Sequence, residues 1–543
     1  MNTRLGERKI LVIGAGISGL SAAIRIAKEF PTASVTICDG RPEAGGVLQT
    51  RYANDGLVEL SADMFTTKLP WALRLCEMIG YQDQLIPTDE KRRGALLATR
   101  TGTSPVPTGF SLMVPNLLSG ILRSPLLSIS GKLRVLLEPL FATANRKFYP
   151  GGAFDESLQD FAIRHWGRQV FDRLIQPLVS GIYTADPAKL SMQAALSEFA
   201  DMEKNYGSLL LGRRHAEKSK HAQGADARPS TAHPQGASNA VAAAEEKADS
   251  IGGASQSLSE ASQKASGARY GLFLTPKNGM QDWIQAMVQW LKDQSVEFRM
   301  GVKAVDLKST AGGWQVALEN VDDAALSADD DRVPPKQRQV QVFDAVVVAT
   351  PSWQAADLLK QVDPMVATLL SQIEFASAAI VISRFKKTQF PNEGLDLGFG
   401  MVVPSYLKSP LIATSFSSNK FSGRCDDDSL VTRSFLGGAL NPEVLGWTDE
   451  EIIDASLMHF RRWIPFQGQP EFSEVIRWSR AMPQYHLGHV QKVESIDHQM
   501  NGLNRIALAG NAYKGVGIPQ CIKSGWDAAD KLIVELKPSS SGQ

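Results

Sequence analysis

Cysteine is scarce and scattered. The four thiols, Cys38, Cys76, Cys425 and Cys521, include no CxxC pair, which argues against a zinc ribbon or a disulfide framework and leaves reduced core thiols. Neither sign of charge is in excess. Lys+Arg and Asp+Glu both number 57 and the pI is near 7.1, so no overall field draws the chain to nucleic acid. A long clean apolar run is also missing. The nearest approach, Phe110 to Phe141, is broken by Pro115, Arg123, Pro125, Lys132 and Arg134 well short of the roughly 18 residues a membrane-spanning helix needs. It suits a membrane-interface segment, the lining of an apolar tunnel, or a buried helical pair. About nine mostly polar residues precede the first strand, too few for an export signal, and a cytoplasmic location is expected. His486 and His489 form an HxxH without a third ligand or a nearby acid, so no metal is expected there.

Apolar residues make up 43% of the 543, enough for a large core divided among about two to four domains. The organising stretch is Lys9 to Asp39. Ile10 to Ile13 reads as a buried parallel strand and breaks at once into Gly14, Gly16 and Gly19, spaced GxGxxG. Ile17, Leu20, Ala23, Ile24 and Ala27 then share one helical face, Pro31 lies beyond the helix end, and Val35 to Cys38 forms a second strand. The three glycines serve the tight turn, the close approach of a pyrophosphate and helix–strand packing, and Asp39 stands where an acid takes ribose hydroxyls. The free N–H groups at the helix start favour phosphate. A dinucleotide site is expected.

Further along, Pro139 to Gly152 reads as a loop, and Phe154 to Ala195 as helical with Asp155 as an N-cap. Gly212 to Ala268, almost devoid of large apolar residues, is expected to be a disordered insertion. The shorter polar stretch Asp322 to Arg338 extends a hairpin. Phe343 to Ala349 is a buried strand, and Ser352 to Ser473 alternates strands and helices. Lys420 and Arg424 are read as solvated, the ordinary state of such residues. Near the C-terminus a strand, Arg505 to Ala509, meets Gly510, a glycine-rich turn, and a helix from about Pro519, a second helix N-terminus with Pro in its first turn.

Asp39 followed by Gly45-Gly46, and then by a second acid in Glu59-Leu60-Ser61-Ala62-Asp63, resembles the flavin amine oxidase and protoporphyrinogen oxidase superfamily. The arginine that the family carries four residues after the first acid is replaced by Glu43, with Arg41 two positions earlier. The run QPLVSGIYTADPAKLS, Gln176 to Ser191, resembles the oxygen-dependent protoporphyrinogen and coproporphyrinogen oxidases within that superfamily. Phe273 to Met280, Thr414 to Ser418, WSRAMPQY (Trp478 to Tyr485) and Gly510 to Gly525 resemble the same oxidases.

The resemblance implies an α/β, mixed α+β chain with a Rossmann-like FAD domain of the p-hydroxybenzoate hydroxylase type. The FAD domain would comprise residues 1–70, 270–351 and 474–537, with a substrate domain at 352–473 and a helical, membrane-associated or tunnel-forming domain at 71–200. Non-covalent FAD would lie along Gly14, Ala15, Gly16, Ile17, Ser18 and Gly19, then Asp39 and Gly40, Gly46 and Val47, and Ser61, Ala62, Asp63 and Met64. Val302 would meet the adenine and Trp478 would approach the flavin. Val516, Gly517 and Ile518 would face its N1 side, where reduced flavin carries negative charge. The implied reaction is oxidation of a porphyrinogen in two-electron steps, hydride passing to the flavin and oxygen reoxidising it to give peroxide. No acid or base stands out as catalytic. Arg92 and Arg93 are candidates for a substrate propionate, because guanidinium pairs bidentately with carboxylate. A homodimer and a peripheral contact with the inner membrane face stay open. So do three alternatives on the same framework: an amine oxidase, a carotenoid desaturase, or a non-catalytic binder like the Rab GDP-dissociation inhibitors.

Overall fold

The computed structural model describes residues 8–53, 56–146, 155–215, 273–321, 338–391 and 397–537. At its centre is a parallel five-stranded sheet in the order Glu297–Met300, Ser34–Asp39, Lys9–Ile13, Ala345–Val348, Ile506–Leu508. Both faces of the central strands are covered, which explains their unbroken apolar runs. Ile10 and Val12 enter the core formed with the helices Ile17–Glu29, Met280–Asp293 and Ile518–Leu536. Leu11 and Ile13 point into a second core with Leu307, Trp314, Ala355 and Leu359. That second layer consists of the antiparallel sheet Val302–Thr310, Gly313–Asn320, Arg338–Phe343 and the helices Ser352–Leu359 and Pro364–Ser371. The hairpin expected at 322–338 has antiparallel flanks, while residues 322–337 lie outside the described residues.

A seven-stranded sheet forms the next layer. Its order is Phe472–Pro483, Phe375–Lys386, Ser429–Gly437, Leu411–Phe416, Gly400–Val402, Leu96–Thr99, Gly102–Pro105. Two of the segments assigned from sequence are corrected here. Leu96–Pro105 lies in the stretch read as helical, yet its strand Leu96–Thr99 pairs with Gly400–Val402. Phe472–Pro483, read mostly as the start of the last cofactor segment, pairs with Phe375–Lys386.

The helical layer contains Leu118–Arg123, Ile129–Leu136, Glu138–Arg146, Leu158–Trp166, a continuous stretch from Arg168 to Tyr183, and Ser197–Tyr206. Glu138–Arg146 corrects the first part of the loop expected over Pro139 to Gly152, because proline in a first helical turn forfeits no intrahelical bond; residues 147–152 lie outside the described residues. Asp155 does not cap Leu158–Trp166; Ser157 does, accepting from the Asp160 N–H at 3.0 Å. Residues 212–215 of the expected insertion are helical, and the rest of that insertion lies outside the described residues. The stretch from Arg168 widens into a π-turn over Phe171–Ile175 just before Pro177, where a proline without an N–H breaks the regular ladder.

The helical layer encloses a charged network. Fully buried Glu138 and His165 are 2.6 Å apart. Glu138 also accepts from Ser208 Oγ and from the Leu209 and Leu210 N–H groups. His165 Nε2 lies 3.3 Å from Glu203, and Arg164 bonds Glu203 and Glu156. Burial alone would lower the His165 pKa, but Glu138 and Glu203 outweigh it and hold it above the usual value. Burial raises the Glu203 pKa, but His165 and Arg164 pull it down to about 2.

Candidate active site

The glycine loop joins the first strand to the first helix at the C-terminal edge of the parallel sheet, the crevice where such sheets bind ligands. Gly14 has φ 107°, and a Cβ there would stand 2.7 Å from Ala349 O. A Cβ on Gly19 would stand 1.9 Å from Gly14 O, so the helix packs too closely for any side chain. Gly16 differs from both: a Cβ there meets nothing within 4 Å, which leaves open space in front of the helix N-terminus. No side chain caps Ile17–Glu29, so its first N–H groups are available to an anion. Asp39 Oδ2 accepts the Ala15 N–H at 2.8 Å and Oδ1 the Arg41 N–H at 2.9 Å. Each oxygen retains acceptor capacity for a hydroxyl. Gly301 N–H donates to Arg41 O, and Gly40 lies against Lys303 and Val321, which puts Val302 beside the Asp39 end.

The segment Gly45–Val47 crosses the loop. Gly45 N–H donates to Ala15 O at 2.8 Å, and Gly46 would bring a Cβ within 3.3 Å of Gly16. Arg41 donates to Gly46 O, with its guanidinium 5.9 Å from the Trp478 ring centre. Ser61 Oγ donates to Val47 O, and Trp478 Nε1 donates to Leu60 O at 2.7 Å. Ala62 is exposed and Met64 half-buried on either side of Asp63.

Buried charge supports this segment. Asp63 lies 3.1 Å from Lys420 Nζ and 2.9 Å from Arg433, which also bonds Ser61 O. Burial raises the Asp63 pKa, but Lys420 and Arg433 outweigh it and hold the carboxyl below its usual range. Arg424 donates to Thr275 Oγ1 at 2.9 Å and to the carbonyls of Pro276 and Lys277. Lys420 and Arg424 are both buried, which corrects their reading as solvated. Arg92 donates to Asn419 at 3.0 Å, and Arg93 pairs with Glu90 at 2.6 Å while its Nε is buried without a partner among the described residues. This puts both arginines in the loop beside Lys420, where Asp89 N–H donates to Lys420 O. Arg433 was missed from sequence. Its only signal is a lone cation inside the apolar strand Ser429–Gly437.

The helix Ile518–Leu536, which packs on Ile17–Glu29, begins at the N-cap Gly517, again without a side-chain cap. Gly510 N–H donates to Ser524 Oγ at 3.0 Å. Two polar atoms in the surrounding walls, Thr350 Oγ1 and Gln520 Oε1, are buried without partners among the described residues.

The flavin containing amine oxidoreductase family matches residues 17–533 of this chain. The chain belongs to that family. Among its relatives, the coproporphyrinogen III oxidase of Bacillus subtilis is 24% identical over 98% of this chain and 99% of that protein. The mitochondrial protoporphyrinogen oxidase of Nicotiana tabacum is 26% identical over 98% of this chain and 96% of that protein. A crystal structure of a candidate protoporphyrinogen oxidase from Exiguobacterium sp. 255-15 superposes with a TM-score of 0.74 at 21% identity, covering 98% of this chain and 100% of that one. Cyclohexylamine oxidase from Brevibacterium oxydans gives 0.61 at 12%, covering 98% and 100%. These structural likenesses concern the fold.

As a flavin containing amine oxidoreductase the chain takes FAD, and its residues fit that cofactor. The open space at Gly16, two uncapped helix starts and the Thr350 and Gln520 atoms without partners among the described residues offer donors, acceptors and room. Gly16 to Ser18 would hold the pyrophosphate, Asp39 the ribose and Gly517 to Ile518 the flavin end.

Proposed function

We propose that this flavoenzyme oxidises a porphyrinogen, protoporphyrinogen IX or coproporphyrinogen III, to the porphyrin with oxygen as acceptor, in haem biosynthesis. The observation that carries the reading is the setting of Gln176–Ser191. At one end Gln176 Oε1 accepts the Ser405 N–H at 2.8 Å and Thr184 O accepts the Ala439 N–H at 2.9 Å, both at the seven-stranded sheet. At the other end Ser191 N–H donates to Tyr485 O at 2.7 Å, next to the cofactor loop. The run that resembles porphyrinogen oxidases therefore links the seven-stranded sheet to Tyr485, which supports a role between substrate and cofactor. The end-to-end match to proteins named for both porphyrinogen oxidations supports the same conclusion.

Bound FAD supplies the hydride acceptor and its reoxidation by oxygen. The protein positions, neutralises and excludes water. Lys420, Arg433 and Asp63 brace Ser61–Met64, and Arg92 and Arg93, in the loop beside Lys420, would pair with a propionate. The buried cations are already bonded to protein acceptors, an arrangement that favours the substrate with two propionates over the one with four, because unpaired buried carboxylates are costly. A peripheral membrane contact fits the helical layer: Ile129, Leu133 and Leu136 are exposed at helical spacing, Ile129 at 87%, with Leu140 exposed on the next helix and Arg123 and Lys132 nearby for anionic headgroups.

The deciding experiment measures kcat/KM for both porphyrinogens under air, with porphyrin fluorescence and peroxide followed together. Turnover with a preference for protoporphyrinogen is expected. A preference for coproporphyrinogen would overturn the choice of substrate, and no turnover of either by FAD-loaded protein would overturn the reaction.

A further inference from the structure

Two residues of the last cofactor segment, Tyr485 and His489, remain unexplained by the reaction. Tyr485 is 2% exposed, and its ring lies in the helical-layer core against which Val516 packs. Its hydroxyl reaches into the glycine-rich loop, donating to Asn511 O at 2.6 Å and accepting the Gly515 N–H at 2.8 Å. Burial pushes its pKa upward, so the group stays a phenol and keeps the proton it donates. His489 stacks on the ring at 4.0 Å and 15°. Its Nε2 lies 3.1 Å from Tyr513 O, a bond that requires the proton on Nε2. Burial lowers its pKa to about 4, and the ring is neutral. Residues 511, 513 and 515 of one loop are thus held by two stacked side chains.

The helical layer holds those side chains from behind. Leu487 N–H donates to Lys189 O at 2.9 Å, and Asp155 accepts from Gly488 N–H at 2.8 Å and from Ser191 Oγ at 2.7 Å. This is the work of Asp155, the residue that sequence placed at a helix cap. A chain of hydrogen bonds therefore runs from the seven-stranded sheet, through Gln176–Ser191, to Tyr485 and the loop leading into Ile518–Leu536.

We infer that Tyr485 is a positioning residue for the flavin: its phenol clamps the Asn511–Gly515 turn and so sets where the first N–H groups of Ile518–Leu536 stand. The inference rests on the reading of that helix start as the flavin end of the FAD site. Packing alone does not account for the hydroxyl, since a phenylalanine would fill the same space. The oxygen bridges a donor and an acceptor four residues apart on a turn that carries no side-chain cap at its helix.

The test is Tyr485→Phe, which keeps the ring and its stacking and removes the bridge. FAD affinity and the midpoint potential of the bound flavin are measured without any porphyrinogen. The dissociation constant should rise about tenfold, as expected for losing a buried hydrogen bond. The potential should move negative, because the donors that stabilise reduced flavin are no longer held in place. With porphyrinogen present, kcat should fall with little change in KM. His489→Phe, which keeps the stack but loses the bond to Tyr513 O, should shift affinity and potential in the same direction by less. Affinity and potential equal to wild type in Tyr485→Phe would overturn the clamp. If that variant does not fold, amide exchange in FAD-free wild type decides: a protected Gly515 N–H supports the clamp, and exchange at the rate of an open loop refutes it. Lack of porphyrinogen turnover by wild type would sink the proposed function while leaving the clamp standing.

Discussion

Replacing His165 with Phe tests the charged network of the helical layer most directly. Phenylalanine preserves the ring contact with Phe161, whose centroid is 4.6 Å away, but removes both N–H donors. Glu138, fully buried, keeps Ser208 and two backbone N–H groups yet loses its counter-charge. A Glu203 carboxyl held at about 2 instead of 4.5 reflects about 3 kcal/mol of favourable interaction shared between His165 and Arg164. Removing one member of a buried ion pair costs about 3–5 kcal/mol. Amide protection in Leu158–Trp166 should therefore fall between about a hundredfold and a few thousandfold near pH 6. The imidazolium contribution is fully present below about 6.5 and is lost as pH rises through the raised folded value. The carboxylate contribution is present above 4.5 and is lost as pH falls through the depressed folded values, about 2 for Glu203. The penalty in the variant should thus be greatest between these limits and shrink toward pH 3, where its unpaired carboxyls protonate. A loss of less than tenfold at pH 6, or an equal loss at pH 3 and pH 6, would refute a charged network.

Gly16→Val should purify folded and colourless, because its Cβ occupies only the open space before the helix; absorbance at the flavin band relative to protein reads this. Gly19→Ala should instead lose soluble protein, since its Cβ would stand 1.9 Å from Gly14 O. Asp63→Asn leaves Lys420 and Arg433 buried without a counter-charge and should cost about 3–5 kcal/mol in urea unfolding; a change under about 1 kcal/mol would mean that water reaches the cluster. Ile129→Asp with Leu133→Asp should abolish sedimentation with anionic lipid vesicles while leaving turnover in detergent unchanged, and retained sedimentation would dismiss the apolar stripe as the contact.

The cofactor end was legible because its chemistry is local. Gly14, Gly16, Gly19 and Asp39 fall within one strand–helix–strand unit, so spacing alone carries the geometry. The charged floor was not legible. Lys420 finds Asp63 357 residues away, and Arg424 finds Thr275 149 residues away, so exposure statistics for lone cations prevailed over unseen partners. Pro139 misled because a proline that starts a helix and one that breaks it look alike without the structure around them. Leu96–Thr99 belongs to a sheet whose other long strands begin at Phe375. Nothing near it in the chain announces that pairing.

The order of strands in the parallel sheet also has a consequence in time. Its central strand, Lys9–Ile13, is made well before the edge strand Ile506–Leu508 and the helix Ile518–Leu536 that packs on Ile17–Glu29. At about 5–20 residues per second, the roughly 500 residues between them take on the order of half a minute to nearly two minutes to synthesise. Throughout that interval the nucleotide-binding unit is emerged but unfinished, its apolar strands lacking a neighbour and its helix a cover. Cofactor capture must therefore wait for the helix Ile518–Leu536, and a stop codon anywhere before residue 518 should yield an aggregation-prone, flavin-free product however complete its glycine motif.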